Sequence, residues 1–138
     1  MLREAFLRQQ ETDHFGSLDP FFYNALLAAY TEEGCQWLQE MKKHVRGNYV
    51  CLQQGLARFS TVRLSPLEGT FVAWMDCRGL GMNDQQLQTF MEEQAFLYAD
   101  PGEEYGPGGS GFYRINLAVT KASMEQVVRN LSAALDHL

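Results

Sequence analysis

The chain has 138 residues and a mass of 15.7 kDa, the size of one ordinary domain. Apolar residues make up 46% and charged residues 20%, which excludes a disordered tail. Eleven basic against 17 acidic residues leave a net charge of −6, which argues against a nucleic acid held through its phosphates. No apolar run approaches the ~20 residues of a membrane span. The opening MLREAFLRQQ lacks the apolar core and cleavage site of a signal peptide. A cytoplasmic protein with neither nucleic acid nor membrane as partner is expected. Cys35, Cys51 and Cys77 are an odd set without short spacing and read as reduced thiols. His14, His44 and His137 lie far apart, and only His44 shares a helix with a cysteine, Cys51. Zinc needs tighter clustering, so no metal site is expected. No Ser or Cys occupies a nucleophile turn.

In chain order, residues 2–12 predict a short helix with Leu2, Phe6 and Leu7 on its apolar side. Gly16 breaks it, Ser17 or Asp19 can cap the next helix, and Pro20 suits its first turn. Residues 21–31 carry Phe21, Phe22, Ala25, Leu26, Ala29 and Tyr30 at helical spacing. Gly34 is expected to mark a bend or break. Leu38, Met41, Val45, Tyr49, Leu52, Leu56 and Phe59 then recur at steps of three and four. They predict one long helix over 35–59, about 36 Å at 1.5 Å per residue. Gly47 inside it costs ~1 kcal/mol relative to Ala, yet the stripe keeps its phase. Lys42, Lys43 and Arg46 fall on the outer face and read as solvated charge.

Strand periodicity follows. TVRLS at 61–65 alternates, and TFVAWMDC at 70–77 is apolar throughout, which predicts a strand covered on both faces. Asn83 with Gln86 three residues on is a helix-capping pair ahead of Leu87, Phe90 and Met91. AFLYA at 95–99 is a candidate short strand. Residues 100–111, DPGEEYGPGGSG, hold five glycines and two prolines and need special backbone angles. They lack phosphate-loop spacing. Such a loop either borders a site or is a plain hairpin connection. FYRINLAV at 112–119 is the next strand, and Thr120 or Ser123 caps a last helix with Met124, Val127, Val128, Leu131 and Leu135 inward. The sum is an α+β domain: a three- to four-stranded, mostly antiparallel sheet flanked by helices, one of them long.

Alternation in FYRINLAV puts Phe112, Arg114, Asn116 and Ala118 on one face and Tyr113, Ile115, Leu117 and Val119 on the other. Arg114 therefore sits mid-strand, directly after the glycine loop. Its guanidinium keeps its proton and suits a planar anion bound by two parallel hydrogen bonds. The other reading is a solvent-facing arginine paired with Asp76 or Glu68 on a neighbouring strand.

The ordered series AAYTEEGCQWL, LEGTFVAWMDCRGLGM and DPGEEYGPGGSGFYRINLAV resembles the C-terminal part of fold-type-I pyridoxal-phosphate enzymes, nearest the cystathionine β-lyase and maltose-regulon-modulator branch of C–S lyases. The resemblance runs from about Phe22 to the last helix. It implies an arm or linker remnant over 1–20 and a small domain of aminotransferase type over 21–138. It implies that Arg114 binds the substrate α-carboxylate, and that Gly102, Tyr105, Gly106 and Asn116 are candidates for contacts along the cofactor cleft. Here Ala99–Asp100–Pro101–Gly102 replaces the family's Ser-Pro-Gly form.

The resemblance also implies what this stretch does not carry. Pyridoxal phosphate needs a Schiff-base lysine, an acid for its ring nitrogen and a phosphate cup, and in the family all three lie in a large domain that would precede Met1. None of Lys42, Lys43 and Lys121 matches the lysine motif. The expected parent cleaves the Cβ–S bond of cystathionine or a similar amino acid, or is an aminotransferase. This chain alone is expected to bind no cofactor and to be inactive. The alternative is an oligomerising interaction module, with Phe6, Phe15, Leu18, Phe21, Phe22 and Trp37 as apolar surface for a homo-oligomer.

Overall fold

Helices form where apolar residues return every three or four positions, and the computed structural model, which describes residues 2–14 and 20–138, follows that rule from the start. The predicted break at Gly16, the caps Ser17 and Asp19, and the surface residues Phe15 and Leu18 lie outside the described residues. The chain divides into two units, one up to Glu40 and one from Met41 to Leu138.

The first unit holds α1 (Leu2–Thr12), α2 (Pro20–Ala29) and the opening turns of α3 (Glu32–Leu56). Neither α1 nor α2 has a buried residue. Gly34 does not break a helix; it lies in the first turn of α3. Thr31 makes the junction: its Oγ1 accepts from Gly34 N at 3.1 Å and donates to Ala28 O at 2.7 Å. A Cβ on Gly34 would overlap the carbonyl oxygens of Ala28 and Ala29, so the glycine serves a close approach and not a bend.

In the second unit four strands form one antiparallel sheet of order β1-β2-β4-β3: β1 (Arg63–Leu64), β2 (Val72–Asp76), β3 (Asp100–Pro101) and β4 (Phe112–Asn116). Ala73 pairs with Ile115 and Met75 with Tyr113. These four side chains are buried and join Val45, Tyr49, Leu52 and Leu56 of α3 and Met124, Leu131 and Leu135 of α5 (Lys121–Asp136) in the core. The opposite face, with Val72, Trp74 and Asp76 of β2 and Phe112 and Arg114 of β4, is only half-buried. The expectation that 70–77 is covered on both faces is therefore corrected. Its apolar run is interrupted by period-two burial, and Trp74 is the large side chain left on the open side.

Asn83 caps α4 (Asp84–Thr89) with the full reciprocal box: its side chain accepts from Gln86 N, and the Gln86 side chain accepts from Asn83 N. The predicted strand at 95–99 is absent. After α4 the chain makes a π-helical turn over Phe90–Gln94 and then an irregular crossing, with Phe96 at φ +47°. Ala95 and Leu97 are buried while Phe96 and Tyr98 are exposed, so burial alternates without strand backbone. The strand begins one residue later, at Asp100. β4 stops at Asn116, three residues before the predicted end. Beyond it the buried Asn48 of α3 donates from Nδ2 to Leu117 O at 2.9 Å and to Val119 O at 2.8 Å. His44 Nε2, 2.7 Å from Val119 O, donates to the same carbonyl.

Candidate functional site

The half-open sheet face collects the chemistry. Trp74 and Arg114 are register partners on β2 and β4, as are Asp76 and Phe112. Trp74 stacks on Phe112 with centroids 5.6 Å apart, and meets Tyr105 edge-on at 5.8 Å. A guanidinium lies over each end of this aromatic strip: Arg78 at 4.6 Å from the Phe112 centroid and Arg114 at 4.9 Å from that of Tyr105.

Each guanidinium also has its own acid. Arg78 binds Asp76 with two parallel hydrogen bonds, Nε to Oδ1 at 2.9 Å and Nη2 to Oδ2 at 2.8 Å. The Arg78 guanidinium holds the Asp76 carboxyl below its usual 3.8. Arg114 is paired with neither Asp76 nor Glu68, as one reading of the sequence had it, but with Asp100, its register partner on β3. Its Nε donates to Asp100 Oδ2 at 2.8 Å. The pair is not buried: the two side chains are 38% and 47% exposed. An internal acid therefore meets the guanidinium at the surface, where the arginine remains accessible to a further anion.

The other predicted residues fall around this pair. Tyr105 covers the Arg114 guanidinium. Gly102 is buried, and it opens the 3-10 turn Gly102–Tyr105 that carries Tyr105. It passes back to back with Gly109, and a Cβ on either would overlap the other's carbonyl oxygen. Gly106 ends the turn at φ +120°. Asn116 does not join the site: its Oδ1 accepts from Ala118 N at 2.8 Å, which ends β4.

One tether of the loop went unnoticed in the sequence. Asp84, the first residue of α4, accepts from Ser110 Oγ at 2.7 Å and from Gly111 N at 2.9 Å. Those bonds hold its carboxyl below the usual 3.8. A folded-state value below the unfolded one means that the tether stabilises above the unfolded value and is lost as pH falls through the folded one. We expect the Ser110 and Gly111 amide resonances to move only below about pH 4. In Asp84→Asn that acid transition should vanish; its persistence would assign the tether to another group.

Other chemistry finds no support here. Burial pushes the Cys77 thiol up to about 12, with Asp76 adding to the shift, which keeps this 1%-exposed thiol protonated. Among the described residues no three His, Cys, Asp or Glu converge on a point. No helix among them is long and apolar enough to cross a membrane. A hollow of about 530 Å³ is lined by Gly81, Gln85, Thr89 and Gln94, and another of about 440 Å³ by Gln53, Phe59 and Arg63. Neither contains Arg114 or a lysine.

No family model matches the chain. It is 30% identical over 137 residues to the cystathionine β-lyase PatB of Bacillus subtilis, and 29% over 135 to protein MalY of Escherichia coli; each match covers 96% of this chain and 34% of the relative. Its structure resembles that of cystalysin from Treponema denticola, which contains pyridoxal 5′-phosphate, with a TM-score of 0.80 and 29% identity over 88% of this chain and 31% of that one. The chain is homologous to the cystathionine β-lyase group of pyridoxal-phosphate enzymes. It spans about a third of the length of these relatives.

The residues of this C–S lyase homologue do not by themselves fit the cofactor. Lys42 and Lys43 are exposed on α3, and Lys121, 80% exposed, lies 3.8 Å from Glu125 on the same helix. None of the three lies on β2, β4 or the 102–111 loop that carry the aromatic strip, so no cofactor step is assigned to this chain.

Proposed function

We propose that this chain is the small, substrate-carboxylate-binding domain of a pyridoxal-phosphate C–S β-lyase, with Arg114 as the carboxylate clamp. The observation that carries the reading is Arg114 itself, 38% exposed in mid-strand on the half-buried face of the sheet. The homology to cystathionine β-lyases supports lyase chemistry over transamination. The Schiff-base lysine, the acid for the ring nitrogen and the phosphate cup would come from a large domain, in the same polypeptide or in another. That domain is the principal partner, and it would close the open face into a cleft for an amino-acid substrate. On this reading residues 1–20 are the arm that leads from it.

Alone, the chain should neither bind the cofactor covalently nor turn over substrate. Mixed with pyridoxal phosphate and reduced with borohydride, it should show no stoichiometric adduct on any of its three lysines. A specific adduct, with pyruvate release from cystathionine, would overturn the assignment.

One observation favours a second reading, an oligomerising interaction module. α2 is uncharged, and Phe22, Tyr23, Leu26 and Leu27 on it are all more than half exposed, an apolar surface of the kind that drives association. The same preparation sedimented at high concentration should then contain dimers; a strictly monomeric profile removes this reading.

A further inference from the structure

The Arg114–Asp100 pair has an asymmetry that bears on how an anion would bind. A single oxygen, Asp100 Oδ2, takes both contacts, from Nε and from Nη2 of Arg114. The bonds therefore use the inner edge of the guanidinium. Nη1 has no partner among the described residues. Tyr105 lies against the flat face at 4.9 Å. One edge and one face of the plane are thus fixed by the protein, and the end bearing Nη1 and Nη2 is left for a ligand. Like the Nε–Nη2 edge that Arg78 turns to Asp76, this edge offers two parallel N–H groups to a carboxylate.

We propose that Asp100 is a positioning residue, which orients Arg114 so that its outer edge receives the substrate carboxylate without Asp100 being displaced. The inference rests on the clamp reading above and adds to it the group that aims the clamp. Both side chains are partly exposed, so water screens the repulsion between Asp100 and an incoming carboxylate. Orientation of a long, rotamer-rich arginine is the larger effect, since an unheld side chain must be immobilised on binding.

Acetate titrated into the ¹⁵N-labelled chain tests this, read at the Arg114 Nε–H resonance and at the other Arg114 side-chain signals. In the native chain acetate should shift the Nη signals while Nε–H stays at its hydrogen-bonded position. Asp100→Ala should weaken acetate binding about five-fold through the lost orientation. Asp100→Asn should restore it to within about two-fold, because one acceptor oxygen suffices for both contacts. Unchanged amide resonances over 102–111 in the variants separate this role from collapse of the loop. Tighter binding in either variant would overturn the proposal and leave the clamp standing, since Asp100 would then be an occupant. So would movement of Nε–H, on adding acetate, to its position in Asp100→Ala. If acetate shifts no Arg114 signal in the native chain, the clamp reading itself falls, and the positioning role with it.

Discussion

Replacing Arg114 by Ala should raise KM for cystathionine about ten- to a hundred-fold in an enzyme where this chain replaces the matching third of the Bacillus subtilis relative. The magnitude follows from two hydrogen bonds to a charged group, worth about 1.5–3 kcal/mol beyond what water supplies. kcat should change less than KM, because the guanidinium holds a carboxylate that takes no part in bond breaking. Arg114→Lys should not restore the native value, since an ammonium lacks the planar fork. Steady-state pyruvate release across a range of substrate concentration gives both constants. A KM unchanged in the Ala variant would remove Arg114 from substrate binding, whatever the homology.

The second large effect is expected in the glycine loop. Gly102 and Gly109 cross back to back, and a methyl group on Gly109 would overlap the Gly102 carbonyl. Gly109→Ala must therefore move backbone, at a cost of about 1–3 kcal/mol or more, against a total stability of ~5–15 kcal/mol for a domain. Gly108 is the control. A Cβ there meets nothing within 4 Å, so Gly108→Ala should stay within about 0.5 kcal/mol of the native chain. Urea midpoints of the two variants decide the matter, and equal midpoints would mean that the crossing is not tight in solution. Since Asp100 and Tyr105 flank Gly102, the Gly109 variant should also lose the hydrogen-bonded Arg114 Nε–H signal.

What the sequence disclosed and what it hid divide along the range of the interaction involved. The α3 stripe was legible from Met41 to Leu56 because those residues meet the core through a local period of three to four, and Gly47 does not disturb that phase. The helix spans Glu32–Leu56, however, and not 35–59; Phe59 lies past its end and Leu38 is exposed. The cap of α4 was legible because Asn83 and Gln86 are three residues apart. The two faces of β4 followed from alternation alone, which placed Arg114 correctly opposite Tyr113 and Ile115. AFLYA misled because buried Ala95 and Leu97 alternate with exposed Phe96 and Tyr98 on an irregular backbone, where Phe96 at φ +47° cannot continue a strand. That error also concealed the partner of Arg114. A strand placed at 95–99 stops one residue short of Asp100, and only register shows that Asp100 faces Arg114. Asp84 was hidden for a similar reason, since its bonds to Ser110 and Gly111 cross 26 and 27 residues. The acidic residue just inside a capped helix was visible, but nothing local told where it would reach.

Asn48 gives the molecule a rivet whose two halves are 69 and 71 residues apart along the chain. Because one amide joins the middle of the long helix to the exit of the arginine-bearing strand, that end of the fold is closed without help from the intervening turns. The link lies past the glycine loop, so a change in that loop's shape leaves the exit of the strand pinned to the helix.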